Sequence, residues 1–384
     1  MIESIATLDR ATLARFGDII DVRSPGEFAL DHVPGAINLP VLSDAERAEV
    51  GTIYVRQSRF LARRIGAAHV ARNIAGHLER ALADKPGSYT PLVYCWRGGQ
   101  RSNAMATVLG QVGWRVSVLK GGYKTWRRSV TAALYDAQPD IRVILLDGDT
   151  GSGKTEILAR LSLLGVQTLD LEGLAGHRGS LFGALRGTEQ PSQKMFESRL
   201  MEALAGFDRA QPIVVEAESS KIGERMAPPM LWKAMLAAPC VELRAPREAR
   251  ARYLVSAYHD IVEDPAALEQ TLLRLPGRHG GKRLAEWLDL AKSGQFEALA
   301  QALVQDHYDP AYQRSRREDH RPRLGVVEVA DLEPASQNAA AASIAELILD
   351  DVLPSLPDKR ASALVSTMTA SKHTKSASYV VAKR

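Results

Sequence analysis

Short apolar runs, each closing on a charge or a glycine, alternate along this chain with stretches of helical periodicity. Phe16-Gly17-Asp18-Ile19-Ile20-Asp21-Val22-Arg23, Pro91-Leu92-Val93-Tyr94 and residues 114–119 have the length and bounding residues of strands. Residues 141–146, 166–169, 211–216 and 241–243 have them too. Between these runs the apolar positions recur at three and four. Met105, Val108, Leu109 and Val112 follow one strand, and Ile157, Leu158 and Leu161 follow another. Ser24-Pro25-Gly26-Glu27 supplies an N-cap, a proline at the first helical position and the glutamate of a capping box. Residues 32–40 form a tight turn into a further short strand, and residues 43–82 are helical in pattern and rich in arginine. Gly121-Gly122-Tyr123 closes the 114–119 strand before a helix holding Trp126. Strands alternating with helices predict an α/β fold with parallel sheets and reactive loops at the strands' C-terminal ends.

A length of 384 residues predicts two or three domains. The composition shifts place a first domain at residues 1–135, a linker at 136–140 and a second domain at 141–353 with C-terminal helices. From 354 to 384 Ser, Thr, Lys and Ala dominate, which predicts a disordered tail. The two cysteines, Cys95 and Cys240, form neither a disulfide framework nor a C-x-x-C pair. Cys240 is expected to be a small buried hydrophobe, and Trp232 and Trp287 core residues. The N-terminus carries no basic-then-apolar signal and no apolar run reaches membrane length, so a cytoplasmic location is expected. A net charge of +4 permits nucleic-acid binding without demanding it.

Cys95 stands at a strand end, before a glycine-bearing loop and a helix starting near Ser102. There the N–H groups and helix dipole converge, and Arg97 and Arg101 add positive charge, all favouring thiolate. A buried structural cysteine is the alternative, and Gly98, Gly99 and two arginines are poor company for a core thiol.

In the second half, residues 148–155 match G-x-x-x-x-G-K-[ST] between a strand and a helix, a pattern expected by accident in about one chain in a hundred of this length. Gly148, Gly151, Ser152 and Gly153 let backbone N–H groups close on phosphate, Lys154 reaches its terminal oxygens and Thr155 can ligate Mg²⁺. Glu216, ending the 211–216 strand, or Glu218 beyond it, suits the orientation of that metal. His177 and Arg178 lie in a glycine-rich segment, where contact with phosphate or RNA competes with a loop-stabilising role. Arg278, Lys282 and Arg283 form a second basic loop. Arg244, Arg247, Arg250 and Arg252 form a basic stretch, and Arg314, Arg316, Arg317, Arg321 and Arg323 another. Three such clusters in one domain predict polyanion binding.

Asp21-Val22-Arg23-Ser24-Pro25-Gly26-Glu27-Phe28, the Val33–Asn38 turn, the Cys95 loop and Gly121-Gly122-Tyr123-Lys124-Thr125-Trp126 resemble the rhodanese domain, in that family's order. In rhodaneses the loop cysteine carries sulfur or selenium. Five residues separate Cys95 from Arg101, one more than in common rhodaneses, and this C-x5-R-[ST] spacing also resembles cysteine-dependent phosphatases. The larger loop suggests a substrate with a phosphate-like group. Adding residues 148–155, Leu169-Asp170-Leu171-Glu172, His177-Arg178-Gly179-Ser180 and Glu216-Ala217-Glu218-Ser219, residues 7–325 closely resemble the tRNA 2-selenouridine synthase family.

That resemblance implies an N-terminal rhodanese-like parallel-sheet domain followed by a P-loop NTPase-like parallel α/β domain with added helices. It implies conversion of wobble 2-thiouridine in the anticodon of tRNA to 2-selenouridine through S-geranyl-2-thiouridine, using geranyl diphosphate and selenophosphate. The P-loop, with Mg²⁺, would hold geranyl diphosphate. Cys95 would take selenium as a Cys–Se adduct, with Arg97 and Arg101 on the phosphate. Selenophosphate synthetase is a candidate partner. Two other readings stay open: an ATP-dependent tRNA sulfurtransferase, and a rhodanese-fold cysteine phosphatase.

Overall fold

The protein's structure, a computed structural model, describes residues 2–185, 187–275, 279–312 and 321–352. The tail 354–384, Arg278, and Arg314, Arg316 and Arg317 lie outside the described residues. Two compact units form: residues up to Ala137 together with Pro191–Gly206, and Gln138–Gln190 together with the chain from Phe207.

In the first unit β1 (Glu3–Ile5), β2 (Asp18–Asp21), β3 (Ile37–Asn38), β4 (Pro91–Tyr94) and β5 (Ser117–Leu119) make one parallel sheet. Its order is β1-β5-β4-β2-β3. The central β4 is buried at every position, which is why it is apolar without alternation: helices cover both faces of a parallel sheet. Ile20, Val93, Met105, Leu109 and Val118 share this core, each worth about 1.5–3 kcal/mol when fully buried. The capping box at Ser24 and Glu27 forms. The arginine-rich insertion is a hairpin of helices Asp44–Arg56 and Arg59–Glu79, the first opened by a capping box between Ser43 and Glu46. Helix Gln193–Ala205 departs from a division in strict chain order, because it returns to this first unit. There Ser198 Oγ accepts the Trp126 indole N–H at 3.1 Å. Glu197, buried, pairs with Arg127 and accepts the Tyr135 hydroxyl at 2.6 Å.

In the second unit β6 (Val143–Gly148), β7 (Gln167–Leu169), β8 (Ile213–Glu216), the short hairpin β9 (Lys221–Ile222) and β10 (Arg225–Met226), β11 (Cys240–Arg244) and β12 (Arg323–Glu328) follow in order. The main sheet is again parallel, in the order β12-β11-β6-β8-β7. Helices Lys154–Leu163 and Pro334–Val352 pack on it through Ile157, Leu161, Ala341 and Ile344. A helical cluster contributes a separate core in which Trp287 is wholly buried among Leu268, Leu272 and Leu299. Cys240 is buried, as expected of it. Trp232 is not a core residue. It is half-buried and faces a cavity, because helix Pro229–Leu236 packs its other face through Leu231 and Met235.

Candidate active sites

Cys95 directly follows β4 and is 4% exposed. The Gly121-Gly122 turn shapes its loop: the N–H groups of Tyr123 and Lys124 donate to the carbonyls of Cys95 and Trp96, at 2.8 and 3.2 Å. Gly122 has φ +59°, and a side chain there would collide with the Cys95 carbonyl oxygen. Around the sulfur, Ser102 Oγ lies 3.2 Å away and the Gly99 N–H donates at 3.3 Å. Burial opposes the thiolate. Hydrogen bonds from the Ser102 hydroxyl and from the N–H groups of Ser102, Gly99 and Arg97 outweigh it and hold Cys95 below an ordinary thiol.

The two loop arginines contribute differently from expectation. Arg97 is exposed and acts on the thiol through its backbone N–H. Arg101 pairs with Glu27 at 2.8 Å, so its charge is compensated by the same carboxylate that caps helix Pro25–Leu30. Behind the loop, buried Arg23 grips Asp21, donates to the Asp31 carbonyl at 2.6 Å and stacks on Tyr123 at 4.0 Å.

In the second unit Gly151 and Gly153 adopt φ +81° and +77°, the left-handed turns that bring the loop's backbone onto helix Lys154–Leu163. Lys154 is buried and donates to the Gly148 carbonyl at 2.9 Å. Burial disfavours its charge, but Tyr312, Glu218, Glu216 and Glu172 around it keep it protonated. Three carboxylates from β8 and the segments after β7 and β8 converge here: oxygens of Glu172, Glu216 and Glu218 lie within 4.8 Å of one another. Thr155 Oγ1 donates to Glu172 at 3.4 Å. Burial raises all three carboxyl pKa values, and repulsion from neighbouring carboxylates adds to the rise at Glu172 and Glu216. Glu216 Oε1 and Ser152 Oγ are buried without a hydrogen-bond partner. These groups line a cavity of about 750 Å³. An apolar pocket of about 70 Å³, lined by Phe182, Leu268, Leu299 and Leu303, shares Thr150, Leu254, Tyr258 and Tyr308 with it.

The sequence named Glu216 and Glu218 but passed over Glu172 as a ligand. Its signal was an acid just past a strand end, and only the pairing of β7 with β8 turns it toward Lys154. His177 serves its loop: Nδ1 accepts the Gly179 N–H at 3.1 Å, and burial lowers its pKa, favouring the neutral ring. Arg178 lines the cavity and pairs with Asp260 at 3.0 Å.

Among the described residues, several members of the basic clusters expected to bind polyanions are neutralised within the unit. Arg283 pairs with Asp306 and Glu286, and Arg244 with Glu242 and Glu328. Arg250, buried, makes a bidentate pair with Asp309 and supports the Thr150 carbonyl. Lys282 is exposed.

Comparison with known proteins places both units. Residues 6–129 match the rhodanese-like domain family, and residues 141–331 match the tRNA 2-selenouridine synthase AAA domain. Among curated proteins, the tRNA 2-selenouridine synthase of Hahella chejuensis is 36% identical over 78% of this chain and 86% of its own length. That of Pseudomonas syringae pv. tomato is 33% identical over 78% and 89%, and that of Cupriavidus necator 34% over 81% and 92%.

Proposed function

The chain belongs to the tRNA 2-selenouridine synthase family, and we propose that it exchanges the sulfur of wobble 2-thiouridine for selenium by way of an S-geranyl intermediate. In the first step the 2-thiocarbonyl sulfur bonds to C1 of geranyl diphosphate. The carbon–oxygen bond breaks, diphosphate leaves with the electron pair, and the N3 proton passes to solvent. Lys154 and the glycine-loop N–H groups hold the diphosphate where its charge develops. The hard oxygen donors Thr155, Glu172, Glu216 and Glu218 suit Mg²⁺, and the unpartnered Glu216 oxygen is an atom such an ion would satisfy. Bound there, Mg²⁺ would neutralise the departing diphosphate.

The observation that carries this reading is the shared wall between phosphate cavity and apolar pocket. A nucleotide's base and ribose call for polar partners at that point, whereas a prenyl chain calls for none. The pocket has room for the end of such a chain, with the remainder in the larger cavity.

In the second step selenium adds to C2 and geranylthiolate departs. Cys95, held toward thiolate, supplies the nucleophile that opens the phosphorus–selenium bond. Attack at phosphorus balances without a further reactant: a sulfur–phosphorus bond forms, hydroselenide leaves, and water then releases phosphate and restores Cys95. Capture of selenium on the sulfur as a Cys–Se adduct would either release phosphorus two electrons richer, as phosphite, or need an oxidant to release phosphate, so attack at phosphorus is the preferred form.

The test is nucleoside mass spectrometry on tRNA from a host lacking such an enzyme and expressing this chain. The expected product is 2-selenouridine, with geranylthiouridine when selenium is withheld. Cys95→Ala should retain geranylation and lose selenation, and Lys154→Ala should lose geranylation. New thiouridine would indicate a sulfurtransferase instead; release of phosphate from aryl phosphates with unchanged tRNA would indicate a phosphatase.

A further inference from the structure

From residue 50 to residue 78 the chain contains five arginines and no aspartate or glutamate. The segment forms the tip of the helical hairpin in the first unit, and all five, Arg56, Arg59, Arg63, Arg64 and Arg72, are exposed. Among the described residues, Arg56, Arg59, Arg63 and Arg64 form no ion pair, in contrast to Arg244, Arg250 and Arg283 of the second unit. Arg59 and Arg63 are one helical turn apart, as are Phe60 and Arg64, so cations and an aromatic ring share a surface. Phe60 is 75% exposed, Val55 82% and Tyr54 45%, with the Arg59 guanidinium 5.5 Å above the Tyr54 ring. Nothing in the fold calls for this arrangement: the hairpin's buried positions are Ile53, Ala62, Gly66, Ile74 and Gly76. Its base is anchored beside the cysteine loop, since Asp44 accepts the Gly26 N–H at 3.0 Å and Arg47 approaches Glu27, the partner of Arg101.

We propose that the exposed tip of this hairpin, residues 54–64, is a docking surface for tRNA, with Arg56, Arg59, Arg63 and Arg64 on phosphates and Phe60 stacking on an unpaired base. The proposal rests on the tRNA-modifying reading above. Uncompensated arginines interleaved with exposed rings fit single-stranded and loop RNA, where guanidinium groups meet phosphates and rings meet bases. Membrane insertion fits less well, because the large exposed apolar side chains here are few and flanked by charge.

The experiment measures binding of the full-length protein to an unmodified tRNA transcript by fluorescence anisotropy across a salt series. The Arg59→Gln/Arg63→Gln/Arg64→Gln triple variant keeps helix propensity at exposed positions, so its circular dichroism should match wild type. Its salt dependence should flatten by about 2–3 in the slope of log K against log salt, with affinity down about tenfold or more. Phe60→Ala should weaken binding about tenfold with the slope unchanged. Arg244→Gln, at a paired arginine, should bind as wild type. Wild-type slope and affinity in the triple variant would overturn the proposal while leaving the tRNA reading intact. Absence of tRNA binding by the wild type would overturn the reading and the proposal together. Capture by phosphatidylglycerol vesicles that falls in the triple variant while tRNA binding does not would assign the surface to membrane instead.

Discussion

Replacing Gly122 by alanine tests whether the Cys95 loop is built as described. Gly122 has φ +59° and ψ −149°, a region adopted essentially by glycine alone, where a side chain costs about 1–3 kcal/mol by itself. The new Cβ would also overlap the Cys95 carbonyl oxygen and stand 2.5 Å from the Gly98 nitrogen, both backbone atoms that no side-chain rotation can move. Relieving such overpacking typically costs a further 1–3 kcal/mol or so, making about 2–6 kcal/mol in all. The relief has a chemical consequence, because pushing residues 95–98 away moves the Arg97 and Gly99 N–H groups that stabilise the thiolate. A hydrogen bond to a charged group is worth about 1.5–3 kcal/mol, so loss of one slows alkylation of Cys95 at neutral pH by about tenfold or more. The assay pairs urea unfolding with the rate of iodoacetamide modification. Gly99→Ala is the control from the same loop, since its Cβ meets nothing within 4 Å and its φ is −108°. Equal stability and equal alkylation rate in Gly122→Ala and wild type would refute the account of the loop.

The alkylation rate of Cys95 should fall as pH drops through the folded thiol's pKa, at a midpoint below that of the same cysteine in the urea-unfolded chain. Ser102→Ala should move the midpoint up by removing a donor to the sulfur, and a midpoint equal in both states would contradict the hydrogen-bond assignment. Arg250→Ala should cost about 3–5 kcal/mol in urea unfolding, since it leaves Asp309 charged and part-buried; Arg250→Met with Asp309→Leu should recover most of that, and equal losses would exclude a simple ion pair. Mg²⁺ at a hundred times its Kd should stabilise the protein by about 2.7 kcal/mol, read as a rise in Tm. Glu216→Ala should abolish that rise, and an unchanged rise would place the ion elsewhere.

Periodicity and local chemistry were legible where a segment carries its own reason. The fully buried β4 had to be apolar, the capping box of Ser24 and Glu27 is closed within four residues, and the glycines of residues 148–155 announce a turn onto a helix. The edge strands β1 and β12 were missed because their neighbours, not their own residues, make them strands. In β1 only Ile5 is buried, and β12 begins at Arg323, inside what looked like a basic stretch. Helix Gln193–Ala205 is amphipathic by itself, but which unit it covers depends on Glu197 and Ser198 finding Arg127 and Trp126, about 70 positions earlier.

The sequence by itself therefore determined both parallel α/β units, the cysteine loop and the phosphate loop, since each depends on residues close together in the chain. Only the tertiary structure decided where charge remains available. Arg101, Arg244, Arg250 and Arg283 all looked like candidates for anions, and each meets a carboxylate, three of them from distant segments. Arg59, Arg63 and Arg64 belonged only to a helical stretch rich in arginine, and among the described residues they meet none. It likewise brought Glu172 to Lys154 and Thr155, because the sheet order sets β7 beside β8. Coulombic pairing acts over a few ångströms of space, and neighbourhood in space is what a one-dimensional pattern does not contain.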